Sequence, residues 1–92
     1  MDAPVTDPAA MHQRAAALRA TAEQVASTVE RLDRRVETMH YQGPAADRFR
    51  AAMSDRSLRG KRAVQELNEL ADALQRGAQR AEQDMLRPGG MG

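Results

Sequence analysis

The strongest constraint on the fold of this chain is a seven-residue repeat of apolar side chains in its first half. Five large apolar residues recur at every seventh position: Met11, Leu18, Val25, Leu32 and Met39. A second series follows four positions after the first four of these: Ala15, Ala22, Val29 and Val36. Two apolar positions per heptad, sustained over four heptads, form a continuous stripe along an α-helix. The first half is therefore predicted to be one long helix packed lengthwise against another helix.

The second half of the chain carries a similar but broader stripe. Its first series is Ala46, Met53, Gly60, Leu67, Leu74 and Ala81; its second is Val64, Ala71, Ala78 and Met85; and Ala63, Leu70 and Gly77 widen the face further. A face this wide contacts more than one neighbour. A glycine costs about 1 kcal/mol relative to alanine in a helix interior. We therefore interpret Gly60 and Gly77 as points of tight helix–helix contact or of a mild kink.

Proline and glycine residues mark the ends of the two predicted helices. Asp7 precedes Pro8, which is the pattern of an N-cap followed by proline at the first helical position. Gly43 and Pro44 interrupt the pattern, because the residue before a proline is pushed out of the helical region. We predict a single domain over residues 1–92, with a first helix over about 8–40, a turn at 41–44, a second helix over about 45–86 and a flexible tail at 87–92.

The short turn forces the two helices to run antiparallel. The predicted fold class is therefore all-α, an antiparallel helix-turn-helix hairpin. Two helices alone cannot enclose a core, so we expect the hairpin to dimerise into a four-helix bundle. The side chains expected to form the core and the dimer seam are Leu18, Val25, Val29, Leu32, Val36, Val64, Leu67, Leu70 and Leu74.

The composition offers little for catalysis or for binding a cofactor. The chain has no cysteine, which excludes disulfides, thiolate metal sites and thiol nucleophiles. The two histidines, His12 and His40, would lie roughly 42 Å apart on one helix and could not share a metal ion. Both are expected to be solvated. The serines have no base in a recognisable arrangement. We expect no enzyme activity, no cofactor and no metal.

The charge pattern argues against nucleic acid and membranes as partners. Fourteen Lys and Arg residues against thirteen Asp and Glu residues leave a net charge of +1. The cluster Arg56, Arg59, Lys61 and Arg62 could contact phosphates, but Asp55 and Glu66 lie beside it and no aromatic residue is near. The uncharged stretches are far shorter than the roughly 20 apolar residues that span a bilayer. We expect no nucleic-acid binding and no stable membrane insertion. With no signal peptide in residues 1–6, these signals alone predict a cytoplasmic protein.

The turn is the most informative short segment, with the sequence Tyr-Gln-Gly-Pro-Ala-Ala-Asp-Arg-Phe over residues 41–49. Gly43 supplies backbone freedom, Pro44 can begin the next helix, and Ala46 allows close approach. Tyr41 and Phe49 are placed to clamp the turn. The segment also resembles the central turn of the WXG-type family, small helical-hairpin substrates of type VII secretion, in which Trp-x-Gly is often followed by Pro-Ala-Ala and Phe. Tyr41 stands at the Trp position and Gly43 at the Gly position.

The resemblance covers essentially the whole chain and implies a function. It implies a small type VII secretion-associated protein that dimerises, with itself or with another WXG-like protein, and acts as a secreted substrate or export partner. Such a protein leaves the cell without a signal peptide, and contacts with the secretion machinery can come through the partner. The family's export signal is a Tyr four residues before an acid near the end of the second helix.

This chain has no tyrosine at the position that the export signal requires. The same spacing holds only Ala78 before Glu82 and Arg80 before Asp84. The chain therefore either leaves with a subunit that carries the signal or is a relative that is not exported. The alternative function is an intracellular coiled-coil scaffold or regulator with no export role.

Overall fold

The chain folds into two antiparallel helices. The computed structural model describes residues 7–86, which form α1 (Pro8–Glu37) and α2 (Pro44–Leu86), with no strand among them. The helices contact each other lengthwise in an elongated molecule of 73 × 23 × 17 Å. The all-α hairpin predicted from the heptad pattern is confirmed. The predicted tail at 87–92 lies outside the described residues.

The start of α1 follows the predicted capping pattern. The Asp7 carboxylate accepts a hydrogen bond from the Ala9 N–H at 3.1 Å, and the Asp7 carbonyl accepts one from the Met11 N–H at 3.0 Å. Pro8 occupies the first turn, where its missing N–H leaves no helical hydrogen bond unmade. The N-cap prediction is confirmed.

The end of α1 lies three residues before the predicted boundary at about residue 40. Both the N–H and the hydroxyl of Thr38 donate to the Arg34 carbonyl at 3.0 Å, and the Met39 N–H bonds to the Val36 carbonyl at 3.2 Å. A threonine hydroxyl that binds these last carbonyls competes with continuation of the helix. The connection consequently runs over residues 38–43, and Pro44 begins α2.

Small side chains line the contact between the two helices. The buried residues are Ala15, Ala22 and Val29 on α1, and Ala46, Met53, Ser57, Ala71 and Ala78 on α2. A methyl group projects little, so the two backbones approach closely along this stripe. Each alanine also removes little apolar area from water. Among the described residues no large side chain is fully buried, and the core of a single hairpin is therefore thin.

Gly60 and Gly77 are two of the points of closest approach. A Cβ atom added at Gly60 would overlap Val29 Cγ2, and one added at Gly77 would lie 2.7 Å from Met11 Cε. The interpretation of both glycines as tight contacts is confirmed. The two neighbours differ in freedom: Val29 is buried and β-branched, so its χ1 angle is restricted, whereas Met11 Cε ends a flexible side chain.

This difference predicts opposite tolerance at the two glycines. Gly60→Ala and Gly77→Ala gain the same helix propensity, so the comparison isolates the steric cost. We expect Gly60→Ala to have a free energy of unfolding about 1–3 kcal/mol below that of Gly77→Ala, because Val29 cannot move aside. Urea unfolding followed by circular dichroism at one protein concentration measures this. Equal stabilities would show that Val29 does not restrict the contact.

Candidate interaction site on the hairpin

Polar residues line one side of the α1 contact stripe. The buried residues of α1, Ala15, Ala22 and Val29, recur every seven positions, and Val36 continues the series. The residues three positions before these four are His12, Arg19, Ala26 and Asp33. Three of them reach acceptors or donors on α2. His12 Nε2 lies 3.3 Å from Glu82 Oε1, Arg19 Nη2 lies 2.8 Å from Asp72 Oδ1, and Asp33 Oδ2 lies 3.6 Å from Lys61 Nζ. We call this side the ion-paired edge.

The ion-paired edge adds contacts that the sequence analysis did not predict. His12, expected to be solvated, stays partly exposed but also contacts Glu82, and Asp33 contacts Lys61. The signal that could have found them is their heptad position beside the buried alanines. Because these side chains stay partly exposed, each pair contributes at most about 1 kcal/mol. Their main effect is to fix the register of the two helices and to close this edge with charge.

Apolar residues line the other side of the contact stripe. On α1 they are Met11, Leu18, Val25, Leu32 and Met39, and on α2 they are Leu67, Leu70 and Leu74. We call this set the apolar face. Seven of the eight are half-buried, and Leu70 is 52% exposed. The hairpin has no third element among the described residues to cover them. A contiguous apolar surface of this kind marks an interaction site.

The nine predicted seam residues fall into two groups in the structure. Val29 is buried between the helices, and Val36 and Val64 are half-buried. The other six lie on the apolar face: Leu18, Val25, Leu32, Leu67, Leu70 and Leu74. The centre of the hairpin is made mainly by alanines of the heptad series, which the predicted seam left out: Ala15, Ala22, Ala71 and Ala78. The role of the six residues in binding a partner stays a prediction.

The predicted turn residues lie together at one end of the hairpin. Gly43 has φ of 112°, a conformation that L side chains rarely adopt. Its carbonyl accepts the Asp47 N–H at 3.0 Å, so it caps α2, and Ala46 is buried one turn later. Arg50 donates to the Tyr41 carbonyl across the connection. This contact ties the connection to the first turns of α2.

The two aromatic rings border a cleft rather than clamp the turn. Tyr41 is 74% exposed, and Phe49 is also exposed. Both line an open cleft of about 640 Å³ with Leu32, Arg35, Val36, Thr38, Met39 and His40. Leu32 and Met39 belong to the apolar face as well. The cleft, which we call the turn cleft, therefore continues the apolar face to the end of the molecule.

The basic cluster at residues 56–62 is partly neutralised by neighbouring acids. Arg59 Nη2 lies 2.6 Å from Asp55 Oδ2, and Lys61 pairs with Asp33 on the ion-paired edge. Within residues 7–86 no group of His, Asp and Glu side chains has the arrangement of a metal site. Neither α1 nor α2 has a stretch apolar enough to cross a membrane.

Comparison with known protein families identifies the class of this protein. A family model described as WXG100, proteins of 100 residues with WXG, matches residues 5–85, and the chain belongs to this family. Its members are early-secreted-antigen-like substrates of type VII secretion, small helical proteins that are secreted without a signal peptide and are not enzymes. The chain is thus a small type VII secretion-associated protein. No curated protein and no solved structure matches it.

The turn geometry predicts a specific requirement for glycine at position 43. Gly43→Ala adds no clash, because nothing lies within 4 Å of the added Cβ, so its cost is backbone strain alone. We expect a loss of roughly 1–2 kcal/mol in the free energy of unfolding. Gln42→Ala, at the exposed neighbouring position, is the control and should change little. Thermal unfolding of both variants measures the difference, and equal stabilities would contradict the assignment of strain.

Proposed function

We propose that this chain acts in type VII secretion as one half of a helical pair, and that the apolar face is where the second hairpin packs. The proposal rests on the difference between the two edges of the hairpin. One edge is closed by three interhelical ion pairs, whereas the other presents a stripe of leucine, valine and methionine to water. In this reading the chain is a secreted substrate or an export partner, and its mechanism is recognition between helices.

Because the core of a single hairpin is small, pairing with a second hairpin is energetically favourable. Fully burying a leucine or valine side chain contributes about 1.5–3 kcal/mol relative to leaving it exposed. The apolar face holds five such side chains that are half-buried, together with Leu70, which is exposed. Chains of this size bury a small share of their surface alone, and pairing supplies the missing burial. A second hairpin on the apolar face completes a four-helix bundle.

Two leucines test this surface as a matched pair. Leu70 and Leu58 are 52% and 54% exposed. Leu70 lies on the apolar face, whereas Leu58 lines a groove beside Asp33 and Lys61 on the ion-paired edge. We expect Leu70→Asp to weaken pairing at least tenfold, about 1.4 kcal/mol, because a carboxylate would be buried among apolar groups. Leu58→Asp should leave pairing unchanged.

The measurement uses each variant expressed from the native locus in a bacterium with an active type VII system. Co-purification reports pairing, and immunoblots of medium and cells report export. We expect Leu70→Asp to lose both and Leu58→Asp to keep both. Equal behaviour of the two variants would place the interface elsewhere. Pairing without any export of the wild-type chain would favour the intracellular scaffold.

The missing tyrosine supports a role as the partner that lacks the export signal. In the family the signal is a Tyr four residues before an acid. Ala78 is fully buried against α1, and Glu82, the acid four residues later, contacts His12. An aromatic ring therefore does not fit at position 78. Arg80, four residues before Asp84, is exposed. We therefore propose that another subunit supplies the signal for export.

Restoring the tyrosine tests this role directly. Arg80→Tyr places a tyrosine four residues before Asp84 on the surface of α2. Arg76→Tyr is the matched control, because position 76 is also exposed and its fourth following residue is the basic Arg80. When the chain is expressed without other WXG-like proteins, we expect Arg80→Tyr alone to appear in the medium. Export of the unchanged chain under these conditions would show that it carries its own signal.

A further inference from the structure

We propose that Met11 and Met39 are sites of reversible oxidation, and that converting both thioethers to sulfoxides keeps a second hairpin from packing on the apolar face. The inference rests on the pairing proposed above and names a chemical modification that controls it. The oxidant is a hydroperoxide such as hydrogen peroxide. The modification acts on the pairing surface and leaves the hairpin itself folded.

The five large apolar residues in the first half of the chain differ in their chemistry. Met11 and Met39 are the first and last members of the series, and Leu18, Val25 and Leu32 lie between them. A thioether takes up oxygen from a peroxide and becomes polar, whereas an aliphatic side chain has no sulfur to oxidise. Oxidation therefore leaves the centre of the apolar face unchanged and makes both of its ends polar.

Access to an oxidant separates the four methionines in residues 7–86. Met53 is buried, with 9% of its surface exposed, whereas Met85 is 74% exposed near the end of α2. Met11 and Met39 are half-buried. Because susceptibility follows exposure, we expect peroxide to oxidise Met85 first, Met11 and Met39 next, and Met53 last. Met85 lies outside the apolar face, so its oxidation alone should leave pairing unchanged.

The reaction is the transfer of one oxygen atom to sulfur. A lone pair of the thioether sulfur attacks one oxygen of hydrogen peroxide, and the O–O bond breaks as the S–O bond forms. The proton of the transferred oxygen passes to the departing hydroxide, which leaves as water. The sulfur is oxidised by two electrons, and the peroxide is reduced by the same two. Methionine sulfoxide reductases reverse the change.

The contact of Met11 with α2 allows a sulfoxide without unfolding the hairpin. Met11 Cε lies 2.7 Å from the position of a Cβ atom added at Gly77, so this methyl group covers the glycine. Arg80 Nη2 lies 4.0 Å from the same position. Because the methionine side chain is unbranched and flexible, a sulfoxide oxygen can turn toward this guanidinium at the surface. The oxidised side chain then leaves the apolar face and its contact with Gly77.

Met39 has polar neighbours of the same kind at the other end of the apolar face. It lines the turn cleft together with Leu32, Arg35 and His40. Arg35 and His40 are exposed, and both carry N–H groups that can donate to a sulfoxide oxygen. The cleft is open, so the oxidised side chain can turn toward them without displacing α1 or α2. A sulfoxide is thus accommodated in the single hairpin at both positions.

A second hairpin on the apolar face removes this freedom. The sulfoxides must then be buried among apolar side chains or be held away from the contact, which leaves a gap. Burying a polar group without a hydrogen bond is unfavourable, so we expect oxidation of both residues to weaken pairing by about tenfold or more. The coupling is reciprocal, and pairing should therefore protect Met11 and Met39 from peroxide.

Graded oxidation of the co-purified pair tests the inference. A tagged copy of the chain is expressed beside the native locus, so that an untagged copy or a WXG-like companion co-purifies with it. The pair is treated with increasing hydrogen peroxide and purified again through the tag. Tandem mass spectrometry of tryptic peptides assigns oxygen to each methionine, gel densitometry measures the second hairpin that is retained, and circular dichroism follows the helices.

We expect retention to stay constant while only Met85 is oxidised and to fall about tenfold or more once Met11 and Met39 are oxidised. The helical signal should remain. Mixing the separated fractions after treatment with both methionine sulfoxide reductases should restore the pair. Full retention after complete oxidation of Met11 and Met39 would overturn the inference and leave the proposed pairing standing.

Leucine variants assign the effect to the two residues. Leucine keeps the apolar character and has no sulfur. Each variant is compared with its own untreated sample, so any change in its pairing before oxidation does not enter. We expect the double variant Met11→Leu, Met39→Leu to resist peroxide, and Met85→Leu to respond as the unchanged chain does. Equal loss from the double variant would overturn the inference. Absence of a second hairpin before peroxide is added would reject the proposed pairing as well.

Discussion

The close contact between α1 and α2 through small side chains is the interaction on which the rest of the structure depends. Alanines at the buried positions allow the backbones to approach, and Gly60 admits Val29 where even a methyl group would overlap it. The contact fixes the register of the hairpin but uses little apolar area. The larger apolar side chains are therefore displaced to the side of the contact, where a single hairpin cannot cover them.

The distribution of charge makes the two sides of the hairpin different. Ion pairs between the helices occupy one edge, so the charged groups of that edge have partners within the hairpin. The opposite side has no such pairs among its central residues and presents leucine and valine instead. The hairpin is therefore apolar on one side only. This property accords with a family whose members typically dimerise.

The turn links the fold to the proposed site. Gly43 adopts a backbone conformation that redirects the chain, and Arg50 holds the Tyr41 carbonyl across the connection. The aromatic residues are left to border a cleft that continues the apolar face. The same few residues thus set the geometry of the connection and the extent of the apolar surface at this end of the hairpin. The substitution of Tyr for the family's Trp at position 41 leaves a ring at the rim of this cleft.

The sequence by itself determined the two helices, their antiparallel order, the N-cap at Asp7 and the membership suggested by the turn. These follow from periodicity and from proline and glycine chemistry, which are local. The sequence could not decide which heptad positions face the other helix of the hairpin, because alanine and leucine are both apolar. Only the tertiary structure showed that alanines occupy the centre and that all five leucines of the predicted seam lie beside it. The reason is geometric: close approach of two backbones excludes large side chains, and that approach is a property of the packed pair.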